Sequence, residues 1–349
     1  MRCRLFQDLC ETGAVTAKKP AAALPRAQTG PEPQLLLTSL LGDFWYWRDE
    51  PVPATALVRL LADFDVTSDG ARAAMRRLAA RGLLTVSRKG RTTAYGIPPR
   101  TSEVIIERTY RMLTFGSTAP EWDGRWTVVA FSVPEQDRAL RTSLRSQLRV
   151  LRFAALYDGV WVSPHDVGQQ ALTLLRDLGI ATATVLRAEE VPGGFAPGCP
   201  ASAFDLEPLA EEYRRFADRY EPLLQSLDDG LIGPKQALRM RTELRVDWRR
   251  FPETDPDLPA ELLPPGWDRA RAQRVFVAIY DRLGPLAEIR FRQIIGSVAP
   301  ELVDLASHHD SATVTELFET LGDRRAHGDT PFERAAEARR IAEASRERG

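Results

Sequence analysis

From Gln34 onward the chain places apolar residues at helical spacing. Leu35, Leu36, Leu37, Leu40, Leu41 and Phe44 form one face across Pro33–Trp45, a recurrence that predicts an amphipathic helix. After Pro51 and Pro53, a second helix runs through Leu57, Val58, Leu60, Leu61 and Phe64. Asp65-Val66-Thr67-Ser68 then reads as a short turn. Thr67 or Ser68 is placed to cap a third helix, because a hydroxyl there accepts from the free N–H groups of the first turn. That helix carries Ala71, Ala74, Met75, Leu78 and Ala79 on one face, and Gly82 ends it. Leu83–Arg88 and Thr92–Ile97 are β-like runs around Lys89-Gly90-Arg91, a hairpin tip. Helix, helix, turn, helix, hairpin is the order of a winged helix-turn-helix, here over residues 34–100.

Residues 122–192 alternate between the two periodicities. Trp126–Val133 is an apolar, β-branched run closed by Pro134, and so a strand. A helix follows in Gln136–Leu151, through Leu140, Leu144, Leu148 and Leu151. Phe153–Tyr157 and Gly159–Ser163 meet at Asp158-Gly159, a strong hairpin signal. Val167–Leu178 is helical through Ala171, Leu174 and Leu175, and Thr182–Arg187 supplies a last strand. The order βαββαβ is ferredoxin-like.

Beyond Val191-Pro192-Gly193-Gly194 the pattern turns helical. Leu206–Leu227 spaces Leu209, Tyr213, Phe216, Tyr220 and Leu224 by three or four. Pro234–Arg250 does the same with Leu238, Leu244 and Trp248. The proline-rich Asp255–Trp267 reads as an ordered strap, followed by helices over Arg269–Leu283, Glu288–Ile295 and Thr313–Leu321. A mainly helical C-terminal domain over 200–323 results. Residues 101–121 remain as a linker and 324–349 as a charged tail. Residues 1–33, interrupted by Pro20, Pro25, Pro31 and Pro33, read as a flexible tail. The expected fold class is α+β and multidomain.

Charge sharpens the first unit. The 349 residues carry 47 Lys+Arg against 48 Asp+Glu, a net charge of −1, so any nucleic-acid function needs a local patch. Within 67–100, eight basic residues face one acid, Asp69. A helix that enters the major groove needs donors for guanine edges and phosphates, and a hairpin tip needs cations for the adjacent backbone. Arg72 and Arg76, four residues apart, share a face turned from Met75 and Leu78, whereas Arg77 lies on another side and suits a phosphate contact or packing better than base reading. Thr67 and Ser68 are placed for the DNA backbone, and Lys89, Arg91 and Thr92 for wing contacts. The alternative is a winged helix that docks a protein partner without operator binding.

Other chemistry is thin. Ser163 and His165 lack a Gly-x-Ser-x-Gly frame, and His308-His309-Asp310 reads as a polar turn. Cys3, Cys10 and Cys199 are too scattered for a disulfide framework or a metal site. No run approaches the roughly 18 apolar residues of a membrane span. The expectation is a cytoplasmic protein that is not an enzyme, with no cofactor, metal or membrane partner.

The same residues resemble a known family. Leu36–Asp43, Ala71–Leu78 with Gly82-Leu83-Leu84, and Gly90-Arg91 before Tyr95 are similar to the PaaX-type repressors of phenylacetic acid catabolism. So are Trp126–Pro134, Gly159–Pro164 and, most specifically, Asp255–Pro264, so that the resemblance spans residues 34–290. It implies a transcriptional regulator, usually a repressor, whose hold on double-stranded operator DNA is relieved by an aryl-acyl-CoA such as phenylacetyl-CoA. Arg76 stands where the family often has a small polar residue, and Arg152–Leu156 lacks glycines expected of relatives.

Two further readings follow. The ferredoxin-like fold also resembles that of small CRISPR-associated endonucleases, which use an acid near the end of the first strand. Phe131-Ser132-Val133 offers none, so this domain reads as a dimerisation or spacer module. A homodimer is expected because one winged helix reads only a short half-site. For the effector, Arg241, Arg245, Trp248 and Arg249 form a candidate set, since guanidinium groups beside aromatics suit phosphates and adenine. Pairing of these arginines with Asp247, Glu253 and acids on neighbouring helices is the alternative.

Overall fold

The computed structural model describes residues 32–45, 48–191 and 199–326, together with Arg334, Arg340, Ile341 and Ala344. The expected flexible tail lies outside the described residues except for Glu32 and Pro33. The chain then folds as α1 (Pro33–Phe44), β1 (Val52–Pro53), α2 (Ala54–Ala62), α3 (Ser68–Ala80), β2 (Thr85–Lys89) and β3 (Thr92–Gly96). β2 and β3 pair antiparallel up to Lys89–Thr92, so Gly90 and Arg91 make the turn. Gly90 has φ of 60°, a conformation that a Cβ would disfavour. β1 pairs with the other side of β3 through Val52 and Tyr95. Reading Pro51 and Pro53 as interruptions overlooks this strand. It is an edge strand, where a proline's missing N–H is tolerated.

α4 (Pro99–Thr114) follows directly and occupies most of the stretch expected to be a linker. Ile106, Met112 and Leu113 are buried along it, and burial of that face gives the helix its order.

The central region is β4 (Arg125–Phe131), α5 (Arg138–Val150), β5 (Ala154–Tyr157), β6 (Val160–Ser163), α6 (Gly168–Asp177) and β7 (Ala183–Glu189). Its strands lie in the order β5-β6-β4-β7, all antiparallel, as a ferredoxin-like βαββαβ unit requires. Val129 and Trp161 from the sheet meet Leu144, Leu148, Leu174 and Leu175 from the two helices in a core of their own.

The remainder is α7 (Glu207–Tyr220), α8 (Pro222–Asp228), α9 (Pro234–Trp248), α10 (Phe251–Thr254), α11 (Arg269–Gly296) and α12 (Ser311–Ala326). The fold is α+β, with the C-terminal part helical. Two expectations are corrected. The single helix expected over Leu206–Leu227 divides at Glu221-Pro222 into α7 and α8. In contrast, the two helices expected over Arg269–Ile295 are one, running through Pro285. An interior proline costs a helix about 3 kcal/mol. Here Phe276, Ile279, Leu283, Ala287 and Phe291 bury both halves of α11 along the core, and that packing outweighs the cost. Gly284 has a steric role: a Cβ there would collide with the His308 ring.

One hydrophobic core joins α1–α3 to α7, α9, α11 and α12, with Phe44 stacked on Phe291 at 4.8 Å between ring centroids. At its centre Asp43 is fully buried. Tyr280 donates to its Oδ1 at 2.9 Å, Arg245 donates to the same oxygen, and Arg241 Nε donates to Oδ2 at 3.3 Å. Arg241 also donates to the carbonyls of Tyr280 and His309, and Arg245 to Thr109 Oγ1 at 2.8 Å. Burial pushes the Tyr280 hydroxyl above its ordinary range, so it stays a donor. Of the few described residues beyond α12, Arg334 pairs with Glu103 on α4, and Ile341 is buried.

Asp43→Asn keeps the shape but leaves two buried guanidinium groups without their counter-charge. It should lower the unfolding free energy by about 3–5 kcal/mol, read as a shifted midpoint in urea denaturation.

Candidate nucleic-acid interface

Thr67 has extended backbone angles, and its side chain accepts from Gly70 N at 3.2 Å, so it is the N-cap of α3. Ser68 is the first helical residue and is exposed. At the other end Gly82, with φ of 69°, donates to Ala79 O at 2.9 Å, and Leu83 N to Leu78 O at 3.0 Å. That paired closure is the Schellman arrangement, and it stops the helix at the base of the hairpin. Ala71, Ala74, Met75 and Leu78 are buried under α3, which leaves Arg72, Arg76 and Arg77 exposed.

The hairpin faces this helix. In register, Val86 lies opposite Tyr95 and Arg88 opposite Thr93, so all four share one side of the sheet. Together with Met75, Arg72 and Arg76 they line a cleft of about 280 Å³. The structure therefore brings Arg72 and Arg76 together with Arg88, a residue that the candidate site set omitted. The signal was present, since the two-residue period of a strand puts Arg88 on the side of Val86. Arg91 and Thr92 are exposed at the tip, and Arg77 stands outside the cleft. The side chain of Lys89 lies outside the described residues.

Electrostatics separates these arginines from most others in the chain. Among the described residues, Arg72, Arg76, Arg77, Arg81, Arg88 and Arg91 form no ion pair. On the C-terminal helices several arginines are neutralised. Arg239 pairs with Asp65 at 2.9 Å, Arg271 with Asp218 at 2.9 Å, and Arg290 with Asp63 at 2.7 Å. Burial would raise the Asp63 carboxyl, but Arg290 and Lys235 beside it hold it below its ordinary value.

The candidate effector residues are placed differently from the expectation. Arg241 and Trp248 are fully enclosed and Arg245 is nearly so. Both arginines hold Asp43, while Trp248 donates from Nε1 to Met112 O at 2.8 Å and stacks on Phe276. A ligand-facing cluster is thereby corrected to a buried structural one, because the nearest counter-charge comes from α1. Arg249 is the exposed member of the four. Among the described residues, no group of three or more His, Cys, Asp or Glu side chains gathers as metal ligands would, and no helix is long and apolar enough to cross a membrane.

Three family models match successive parts of the chain. They are the PaaX-like protein model over residues 32–99, the PaaX central Cas2-like domain over 119–197, and the PaaX-like C-terminal domain over 204–293. The chain is 27% identical over 258 residues to the transcriptional repressor PaaX of Escherichia coli (strain K12), covering 72% of this chain and 80% of that protein. Among solved structures it is similar to the uncharacterized protein Rv0674 from Mycobacterium tuberculosis, at 21% identity and a TM-score of 0.48, covering 76% of this chain and 97% of that one.

Thr67→Ala removes the cap that fixes the start of α3. It should cost about 1 kcal/mol of stability, measured as a lowered melting temperature with the far-ultraviolet circular dichroism of the native state retained.

Proposed function

The chain belongs to the PaaX family, and from that premise we propose that it is a transcriptional repressor that grips double-stranded operator DNA with α3 and the β2–β3 hairpin. One observation carries the reading. The exposed guanidinium groups of Arg72, Arg76, Arg88 and Arg91 are without ion pairs among the described residues, on a chain whose net charge is −1. Unneutralised cations at a helix and a hairpin tip are what phosphate and base-edge contacts need. In this reading α3 enters the major groove, with Arg72 and Arg76 at base edges or phosphates. Thr67 and Ser68 sit against the backbone, and Arg77 takes a phosphate. Lys89, Arg91 and Thr92 make the wing contacts. The similarity to a transcriptional repressor supports a regulator rather than an enzyme.

The proposal includes a homodimer. One such unit covers a short half-site, and linking two makes the second binding event effectively intramolecular. It also includes release from DNA by an aryl-acyl-CoA such as phenylacetyl-CoA, as the family resemblance implies.

Fluorescence anisotropy with the protein's own upstream DNA, against a scrambled duplex, tests the reading. Affinity should exceed that for the scrambled duplex and fall steeply as salt rises, because each phosphate contact releases counterions. Arg88→Gln should weaken binding by about 1–3 kcal/mol if it reads a base, or reduce the salt slope by about one if it holds a phosphate. Equal affinity for the two duplexes would sink the operator reading in favour of protein docking.

A further inference from the structure

A second cleft is lined by no residue of α3 or of the β2–β3 hairpin and has no part in the DNA reading. It measures about 580 Å³ and lies between the end of α5 with β5 on one side and α10 with the Asp255–Pro256 strap on the other. Arg111, Arg149 and Arg152 line it, with Phe153, Trp161 and Phe204. Arg152 adopts φ of 64°, in the left-handed region where a glycine is the usual occupant of a helix C-terminus. Arg152 N donates to Arg149 O, and Phe153 N to Leu148 O, so the residue holds the position that Gly82 holds after α3. An arginine in that strained position commits a guanidinium to the cleft wall.

The charge there is crowded. Burial, and then the neighbouring Arg111, lower the affinity of Arg152 for its proton, with Arg269 acting in the same sense. Asp257 pairs with Arg152 at 2.7 Å and Asp255 offers partial compensation, but both acids are also shared with Arg269. Two further acids on the lining, Asp205 and Glu253, are exposed. The aromatic side has its own open valence. Trp161 is 1% exposed, and its indole N–H is buried without a hydrogen-bond partner. Arg149 lies over the same ring at 5.3 Å.

We propose that this cleft binds a small organic anion, with the three guanidinium groups taking a phosphate or carboxylate and the Phe153–Trp161–Phe204 wall taking a flat apolar group. A pocket of this volume suits a ligand of drug or nucleotide size. Bidentate guanidinium contacts suit the anionic end. The site also has a route to the DNA-binding unit. Arg111 sits in the last turn of α4, which begins three residues after the hairpin strand β3, and it donates to Pro252 O at 2.7 Å. An anion that draws Arg111 away from that carbonyl acts on the helix that carries the wing. This regulatory role rests on the repressor reading above, whereas binding in the cleft does not.

Isothermal titration calorimetry of the full-length protein, without DNA, tests the site. The probes are phenylacetyl-CoA, coenzyme A, ATP and phenylacetate, which separate an acyl thioester, a bare nucleotide and an aryl acid as sources of the same chemistry. At least one should bind with a one-to-one stoichiometry. Arg152→Gly, which removes the guanidinium with its Asp257 ion pair and places a glycine at positive φ, should keep the wild-type circular dichroism spectrum and bind that probe at least tenfold more weakly. Arg149→Gln, at an exposed position, should weaken it at least threefold. Unchanged affinity in both variants, or no heat from any probe with the wild-type protein, would overturn the cleft as a ligand site. Probe binding that depends on Arg152 in a protein that ignores its upstream DNA would leave the cleft standing and remove the operator reading.

Discussion

Asp43 has no exposure to water, and its two carboxylate oxygens are held by groups from α9 and α11. Removing a carboxylate and two guanidinium groups from water is costly, and only close, fully hydrogen-bonded partners compensate for it. The compensation here comes from a tyrosine hydroxyl, a threonine hydroxyl and two backbone carbonyls. They are supplied by three stretches of chain: Thr109 on α4, Tyr280 on α11, and His309 before α12. The network can therefore close in one arrangement of α1, α4, α9 and α11, which makes it a device for register as well as for cohesion. It also sets the position of α3, which packs against α1 in the same core.

That use of charge explains how a chain with nearly equal numbers of acids and bases can present a cationic face. Many of the acids are drawn into pairs with arginines of the C-terminal helices, the two enclosed ones included. Asp63 shows the mechanism at the joint between α2 and α11. It accepts from Arg290 at 2.7 and 3.1 Å and is approached by Lys235 at 3.3 Å. Among the described residues, α3 and the hairpin group six arginines without an ion pair on one unit, where Asp69 in the first turn of α3 is the nearby acid in sequence. A net charge near zero thus conceals a segregated surface, and local field governs encounter with a polyanion.

The strap after α10 plays a comparable role between the central unit and the helices. Tyr213 donates to Asp255 at 2.6 Å, Arg269 holds Asp255 and Asp257, and His165 on the central unit donates to Pro256 O at 2.9 Å. Arg152 reaches the same strap through Asp257. Within this segment Asp257 takes positive φ, which an aspartate tolerates better than most residues. The sequence segment with the most specific family character is thus the one whose side chains knit three parts of the fold together.

The order of elements was legible because helical and strand periodicities are properties of neighbouring residues. The three helices before the hairpin, the βαββαβ order and the capping by Thr67 and Gly82 could be read in that way, and so could the exposure of Arg72 and Arg76. Tertiary structure decided which charged groups would be free. Asp43 meets Arg241 and Arg245 across about two hundred residues, and no local pattern distinguishes those arginines from Arg72. The same holds for α11, whose proline reads locally as a break and is overruled by burial on both sides. It holds also for the cleft at Arg152, assembled from five segments. A side chain's periodicity is fixed by its neighbours in sequence, but the worth of its charge depends on solvent exclusion and partners, and these exist only once the chain has packed.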